Sequence, residues 1–110
     1  MSRAVGIDPS AAPESSQSSV NVLCCSGLDP TGGAGLQADI EAVAAQGAHA
    51  LVVATALTVQ DTRNVVSSQP VDAGLLHQQL AVLRADCSIG AIKLGLLGSI
   101  EQLPVLATVL

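Results

Sequence analysis

Gly27, Gly32, Gly33 and Gly35 crowd around Asp29, Pro30 and Thr31, directly after an apolar run and directly before a helical pattern. Glycines at that density let backbone N–H groups approach a small ligand, and a helix N-terminus beside them favours an anion. Two phosphate-binding patterns come close. Gly27-Leu-Asp-Pro-Thr-Gly32 has the glycine spacing of a P-loop, but Gly33 and Ala34 stand where Lys and Ser or Thr are required. Nothing there reaches the terminal phosphates or holds Mg²⁺, so that reading fails. Gly33-Ala34-Gly35-Leu36-Gln37-Ala38 has the GxGxxA form of a dinucleotide fingerprint. Yet Gly27 to Gly32 separate it from the preceding strand, and no acidic residue stands near position 55 to hold a ribose. A dinucleotide-binding βαβ unit stays an outside reading.

The elements that must position these residues follow from periodicity. Val20 to Ser26 reads as a buried strand. The spacing of Leu36, Ile40, Val43 and Ala44 predicts a helix over about 34–46, with Asp39 and Glu41 off its apolar face and Gly47 at its C-cap. Ala48 to Thr58 is a continuous apolar run, expected to be a strand buried on both faces of a parallel sheet. Residues 59–70 are polar and rich in turn formers, which predicts a loop with a short extended piece at Val65-Val66. Asp72 N-caps a helix reaching about Ala85, lined by Leu76, Leu80 and Leu83. Ile89 to Leu94 makes a third strand, and Ser99 with Gln102 has the spacing of a capping box for a last helix. The order β-α-β, loop, α-β-α describes a three-layer α/β/α fold with a mostly parallel sheet of about three strands and three helices.

Composition sets the outer limits. The chain has 110 residues, 49% of them hydrophobic and 12% charged, enough apolar material for a core and too little charge for disorder. It contains no Phe, Tyr or Trp, which excludes stacking of bases on aromatic rings. A formal net charge of −5 disfavours nucleic acid and anionic membrane surfaces as partners. No apolar stretch is long enough to span a bilayer, and residues 1–19 lack the apolar core of a signal peptide. They read instead as a flexible leader ahead of a domain at 20–110. Three cysteines, two of them adjacent at Cys24-Cys25, suit a reducing compartment better than a disulfide framework. The expected location is cytoplasmic.

Three blocks together, SGLDPTGGAGLQADIEA, TALTVQDTRNV and AIKLGLLGS, resemble the hydroxymethylpyrimidine/phosphomethylpyrimidine kinase family of thiamine biosynthesis. They occur in the family's order and spacing and cover nearly all of Val20 to Leu110. The resemblance implies a ribokinase-like kinase that uses ATP and Mg²⁺ to phosphorylate 4-amino-5-hydroxymethyl-2-methylpyrimidine and then its monophosphate, homo-oligomeric in full-length form. It assigns the pyrimidine pocket to four residues. Gly27 lets the ring approach the backbone, Asp39 accepts a hydrogen bond from it, Gln60 meets the aminopyrimidine edge, and Leu96, where Met is common, forms an apolar wall. The family's catalytic residue, anion hole and ATP site lie further on than Leu110. These 110 residues are therefore expected to be the front part of a larger domain, with no catalytic residue, no metal site and no kinase activity of their own.

Plainer readings stand beside these. By spacing alone, Asp39 favours the positive end of its helix dipole, and Gln60 is a solvated loop residue. Asp29 before Pro30 is a turn former, and the resemblance leaves a minor role near phosphate or metal open. Lys93 lies in an apolar strand and needs a carboxylate or carbonyl partner, so a structural ion pair is preferred to phosphate binding. His49 and His77 carry no metal-ligand spacing with any cysteine, and Cys87 is expected to be a small packing residue. A second function class also remains open, an inactive fragment acting at most as a binding or assembly module through an exposed sheet edge.

Overall fold

A computed structural model of the chain describes residues 20–110, so the leader expected at 1–19 lies outside the described residues. β1 (Asn21–Leu28), α1 (Gly35–Ala45), β2 (His49–Gln60), β3 (Val65–Pro70), α2 (Ala73–Asp86) and β4 (Ala91–Leu94) follow in order. A 3₁₀ turn (Ile100–Gln102) then runs into α3 (Leu103–Ala107). The strands form one sheet in the order β3-β2-β1-β4. β1 is central and pairs in parallel with both β2 and β4, while β3 runs antiparallel to β2 along one edge.

The sheet thus has one strand more than the sequence suggested. The stretch read as a loop at 59–70 is a hairpin: β2 continues to Gln60, and β3 returns from Val65 to Pro70. Asp61 builds the turn, its Oδ1 accepting the N–H groups of Arg63 and Asn64, each at 2.8 Å. Every residue of β3 is exposed. A strand with no buried face has no alternation to reveal it, and Pro70 is tolerated because β3 is an edge.

Side chains alternate across β1 and fix the layers. Leu23 and Cys25 join Val53 of β2, Leu76 and Leu80 of α2, and Leu106 and Val109 at the chain's end in one core. Ser26, on the opposite face, reaches α1 through Asp39. Helices therefore cover both faces, the expected α/β/α arrangement. The Leu76, Leu80, Leu83 stripe packs as expected, Gly47 takes the left-handed conformation after α1 with φ +81°, and Asp72 caps α2 by accepting the Leu75 N–H.

Three details depart from expectation. Leu36 is the buried residue of α1 and Ile40 is 43% exposed, so the helix turns Leu36, Asp39 and Val43 to the sheet rather than the full apolar stripe. β2 is not buried on both faces; only Val53, Thr55 and Ala56 are buried within it, and Val52 stays 39% exposed. Ser99 makes no side-chain cap, because Gln102 is turned inward to Gly98, Thr55 and Val71. A fully buried amide gains more from three internal partners than from one solvent-side N–H.

Candidate functional site

Parallel sheets leave a crevice outside the carboxyl ends of their strands, and this one holds a cleft of about 210 Å³ there. The end of β1 contributes Ser26, Gly27 and Asp29, and the entry to α1 contributes Ala34 and Gly35. The end of β2 contributes Thr58 and Gln60; β4 and the segment after it contribute Lys93, Gly95 and Leu96.

Gly27 is buried in the cleft floor. A Cβ placed on it would lie 3.8 Å from the Ala56 carbonyl oxygen and 3.9 Å from Leu96 Cδ2, ordinary van der Waals contact. The fold itself does not need glycine there. Gly35 is different: it has φ +69°, and a Cβ on it would overlap the Gly27 carbonyl oxygen. That glycine lets the start of α1 close against the end of β1, where Leu28 and Gly35 form an isolated bridge.

The loop between these elements folds onto itself. Asp29 Oδ1 accepts the Thr31 N–H at 2.9 Å and the Thr31 hydroxyl at 2.8 Å. Gly32 N–H donates to the Asp29 carbonyl at 3.0 Å, and Gly33 N–H to Thr31 Oγ1 at 3.4 Å. The Thr31 N–H and hydroxyl hold the Asp29 carboxyl below its ordinary pKa, since both stabilise the ionised form. As the plainer reading held, Asp29 forms the turn.

Gln60 sits at the cleft rim with its amide fixed. Its Nε2 donates to Thr58 Oγ1 at 2.6 Å, and that hydroxyl donates to the Leu28 carbonyl at 2.8 Å. Leu96 stands opposite, 60% exposed. Asp39 behaves differently from the other three assigned residues. It does not line the cleft; it sits on the sheet-facing side of α1 and is satisfied from within. Lys93 Nζ lies 2.8 Å from Oδ1 and 3.0 Å from Oδ2, and the Ser26 hydroxyl donates to Oδ2 at 2.7 Å. Lys93 also donates to Ser26 Oγ at 3.2 Å. The lone lysine of an apolar strand thus has its carboxylate partner. A carboxylate offers about four lone-pair sites; with three used, Oδ1 keeps one.

The structure therefore brings Gly27, Gln60 and Leu96 to one cleft and sets Asp39 beside it, linked through Lys93 and Ser26. Sequence reasoning missed Ser26, Thr58 and Gly95 as lining residues. A hydroxyl one residue before the strand's glycine, and another two residues before Gln60, were the available signals. Among the described residues, no three His, Cys, Asp or Glu side chains cluster as a metal site requires, and no helix is long and apolar enough to cross a membrane.

Residues 29–110 match the protein family described as phosphomethylpyrimidine kinase. The chain is 40% identical over 93 residues to the thiamine biosynthesis multifunctional protein ThiED of Corynebacterium glutamicum, covering 84% of this chain and 12% of that protein. It is 38% identical over 82 residues to the hydroxymethylpyrimidine/phosphomethylpyrimidine kinase of Escherichia coli, covering 74% and 31%. The solved phosphomethylpyrimidine kinase of Clostridium difficile 630 superposes with a TM-score of 0.76 at 29% identity, over 81% of this chain and 38% of that one. The chain spans about a third or less of the length of these two curated relatives.

Proposed function

Because this chain belongs to the phosphomethylpyrimidine kinase family, we propose that its cleft binds 4-amino-5-hydroxymethyl-2-methylpyrimidine and the corresponding monophosphate. Residues 20–110 then supply the pyrimidine side of an ATP-dependent kinase of thiamine diphosphate biosynthesis. The carrying observation is the convergence of Gly27 of β1, Gln60 of β2 and Leu96 of the segment after β4 on one cleft of about 210 Å³. That is below the usual range for drug-sized ligands and suits a single substituted ring.

In this reading the ring lies over Gly27, which leaves the space a methyl group would take. Leu96 covers one side of it. The Gln60 amide offers both donor and acceptor to the aminopyrimidine edge, and its bond to Thr58 holds it in one orientation before ligand arrives. Asp39 contributes through its one free lone pair, or by keeping Lys93 and Ser26 in place.

ATP supplies the phosphoryl group in such a reaction, and Mg²⁺ neutralises charge on it. The glycine-rich loop and the lysine of the cleft do not fit a nucleotide. The N–H groups of Thr31, Gly32 and Gly33 are turned into the loop's own oxygens, and Lys93, the cation of the cleft, is committed to Asp39 and Ser26. No step is therefore assigned to them. The partner proposed is a small-molecule pyrimidine, and homo-oligomerisation and a cytoplasmic location go with the same reading.

Titration calorimetry with the pyrimidine tests the assignment. The chain should bind it, and Gln60→Ala should weaken binding about tenfold, the equivalent of one or two hydrogen bonds. Equal affinity in wild type and variant would remove Gln60 from the site.

A further inference from the structure

Leu96 is the most exposed of the proposed pocket residues, and little packing fixes its side chain. Its place must come from the backbone of the segment Gly95–Gly98. That segment is tied at three points. Gly95 N–H donates to the Cys25 carbonyl at 2.8 Å. The Leu96 carbonyl accepts from Thr55 Oγ1 at 2.7 Å, and Gly98 N–H donates to Gln102 Oε1 at 2.9 Å. Thr55 and Gln102 are both fully buried.

Thr55 owes its freedom to an irregularity in the sheet. Ser26 pairs with Ala54 and Gly27 with Ala56, so Thr55 is passed over in the β1–β2 ladder; β3 begins pairing at Ala56. An extra residue of this kind redirects a side chain and leaves backbone groups to be satisfied elsewhere. The Thr55 carbonyl accepts from Val71 N–H at 2.9 Å and from Gln102 Nε2 at 2.8 Å. Gln102 Nε2 also donates to the Val71 carbonyl at 2.8 Å. One buried amide thus joins β2, the β3–α2 link and the segment carrying Leu96. Gly98 belongs to the same device, since a Cβ on it would overlap the Thr55 carbonyl oxygen.

We propose that Thr55 and Gln102 are positioning residues of the pyrimidine site: neither reaches the cleft, and together they hold Leu96 at its wall. This rests on the cleft being the pyrimidine site, so the test separates the two ideas. Thr55→Val keeps the side chain's shape and removes the hydroxyl; Thr55→Ser restores it. Leu80→Val, in the core away from the cleft, controls for general destabilisation. Two quantities are read in each: methyl order parameters of Leu96 by NMR, and affinity for the pyrimidine by calorimetry.

Thr55→Val is expected to lower the Leu96 order parameter and weaken binding about tenfold, whereas Thr55→Ser and Leu80→Val leave both near wild type. Gln102→Leu, if it folds, behaves like Thr55→Val. An unchanged Leu96 order parameter in Thr55→Val overturns the proposal whether or not ligand binds. So does an equal loss of affinity in Leu80→Val. A loosened Leu96 in a protein whose wild type binds no pyrimidine upholds the anchoring of Leu96 and overturns its role in a pyrimidine site.

Discussion

Two glycines eight positions apart, Gly27 and Gly35, do different work, and single substitutions should separate them. Gly27 has room for a methyl group in the unliganded cleft, and Gly35 has none. Gly27→Ala is therefore expected to melt within a few degrees of wild type while losing most of its pyrimidine affinity. Gly35→Ala is expected to cost well over 1 kcal/mol, from its positive φ together with the clash, and to leave little folded protein by circular dichroism. Thiol chemistry gives a second residue-scale check. Burial pushes the Cys25 thiol up to about 11 from 9.0. Its protonated form is the one the fold favours, so this contribution to stability is complete below pH 9 and is lost as pH rises through about 11. In native protein a thiol reagent should modify Cys87 first, with Cys24 and Cys25 reacting on denaturation.

At the scale of elements, legibility followed burial. Leu76, Leu80 and Leu83 mark α2 because the core selects a stripe, Asp72 marks its start because the carboxylate accepts the Leu75 N–H, and Gly47 marks the end of α1 because of its positive φ. β3 was legible only as the extended piece at Val65-Val66, because none of its residues is buried, and α1 was misphased because Asp39 competes for the sheet-facing side by hydrogen bonding to Ser26 and Lys93. The same forces can be measured. Asp72→Ala should cost about 0.5–2 kcal/mol by removing an N-cap. Leu80→Ala should cost about 2–5 kcal/mol by opening a cavity among Leu23, Val53 and Leu76. Hydrogen exchange should be fastest in β3 and slowest in β1, whose interior residues are buried on both faces.

For the molecule as a whole, the fold was legible because three glycine- and apolar-rich blocks specify a parallel α/β order without long-range information. The candidate site was proposed only by resemblance: spacing alone made Gln60 a loop residue and Asp39 a dipole partner, and it gave no reason to join Gly27 with Leu96 across 69 positions. The polar ties around Thr55 and Gln102 were out of reach, because they depend on a skipped ladder residue. Electrostatics sets the pH response. Asp29 and Asp61 have carboxyls held below their ordinary range by N–H and hydroxyl donors, so their support is present above the unfolded pKa and is lost as pH falls through the folded values, below about pH 4. Both anchor turns, so acid should loosen the cleft rim and the hairpin before the core.

In the proposed site, Gly27, Gln60 and Leu96 bind the pyrimidine together. The most direct measurement is a titration of isotope-labelled chain with 4-amino-5-hydroxymethyl-2-methylpyrimidine, followed by amide and methyl NMR shifts. Saturable shifts are expected to centre on Gly27, Gln60 and Leu96, with Val52, Leu75 and Val82 in the groove between β2 and α2 unmoved. Shifts centred on that groove, or no saturable shifts at the cleft, would contradict the proposed site.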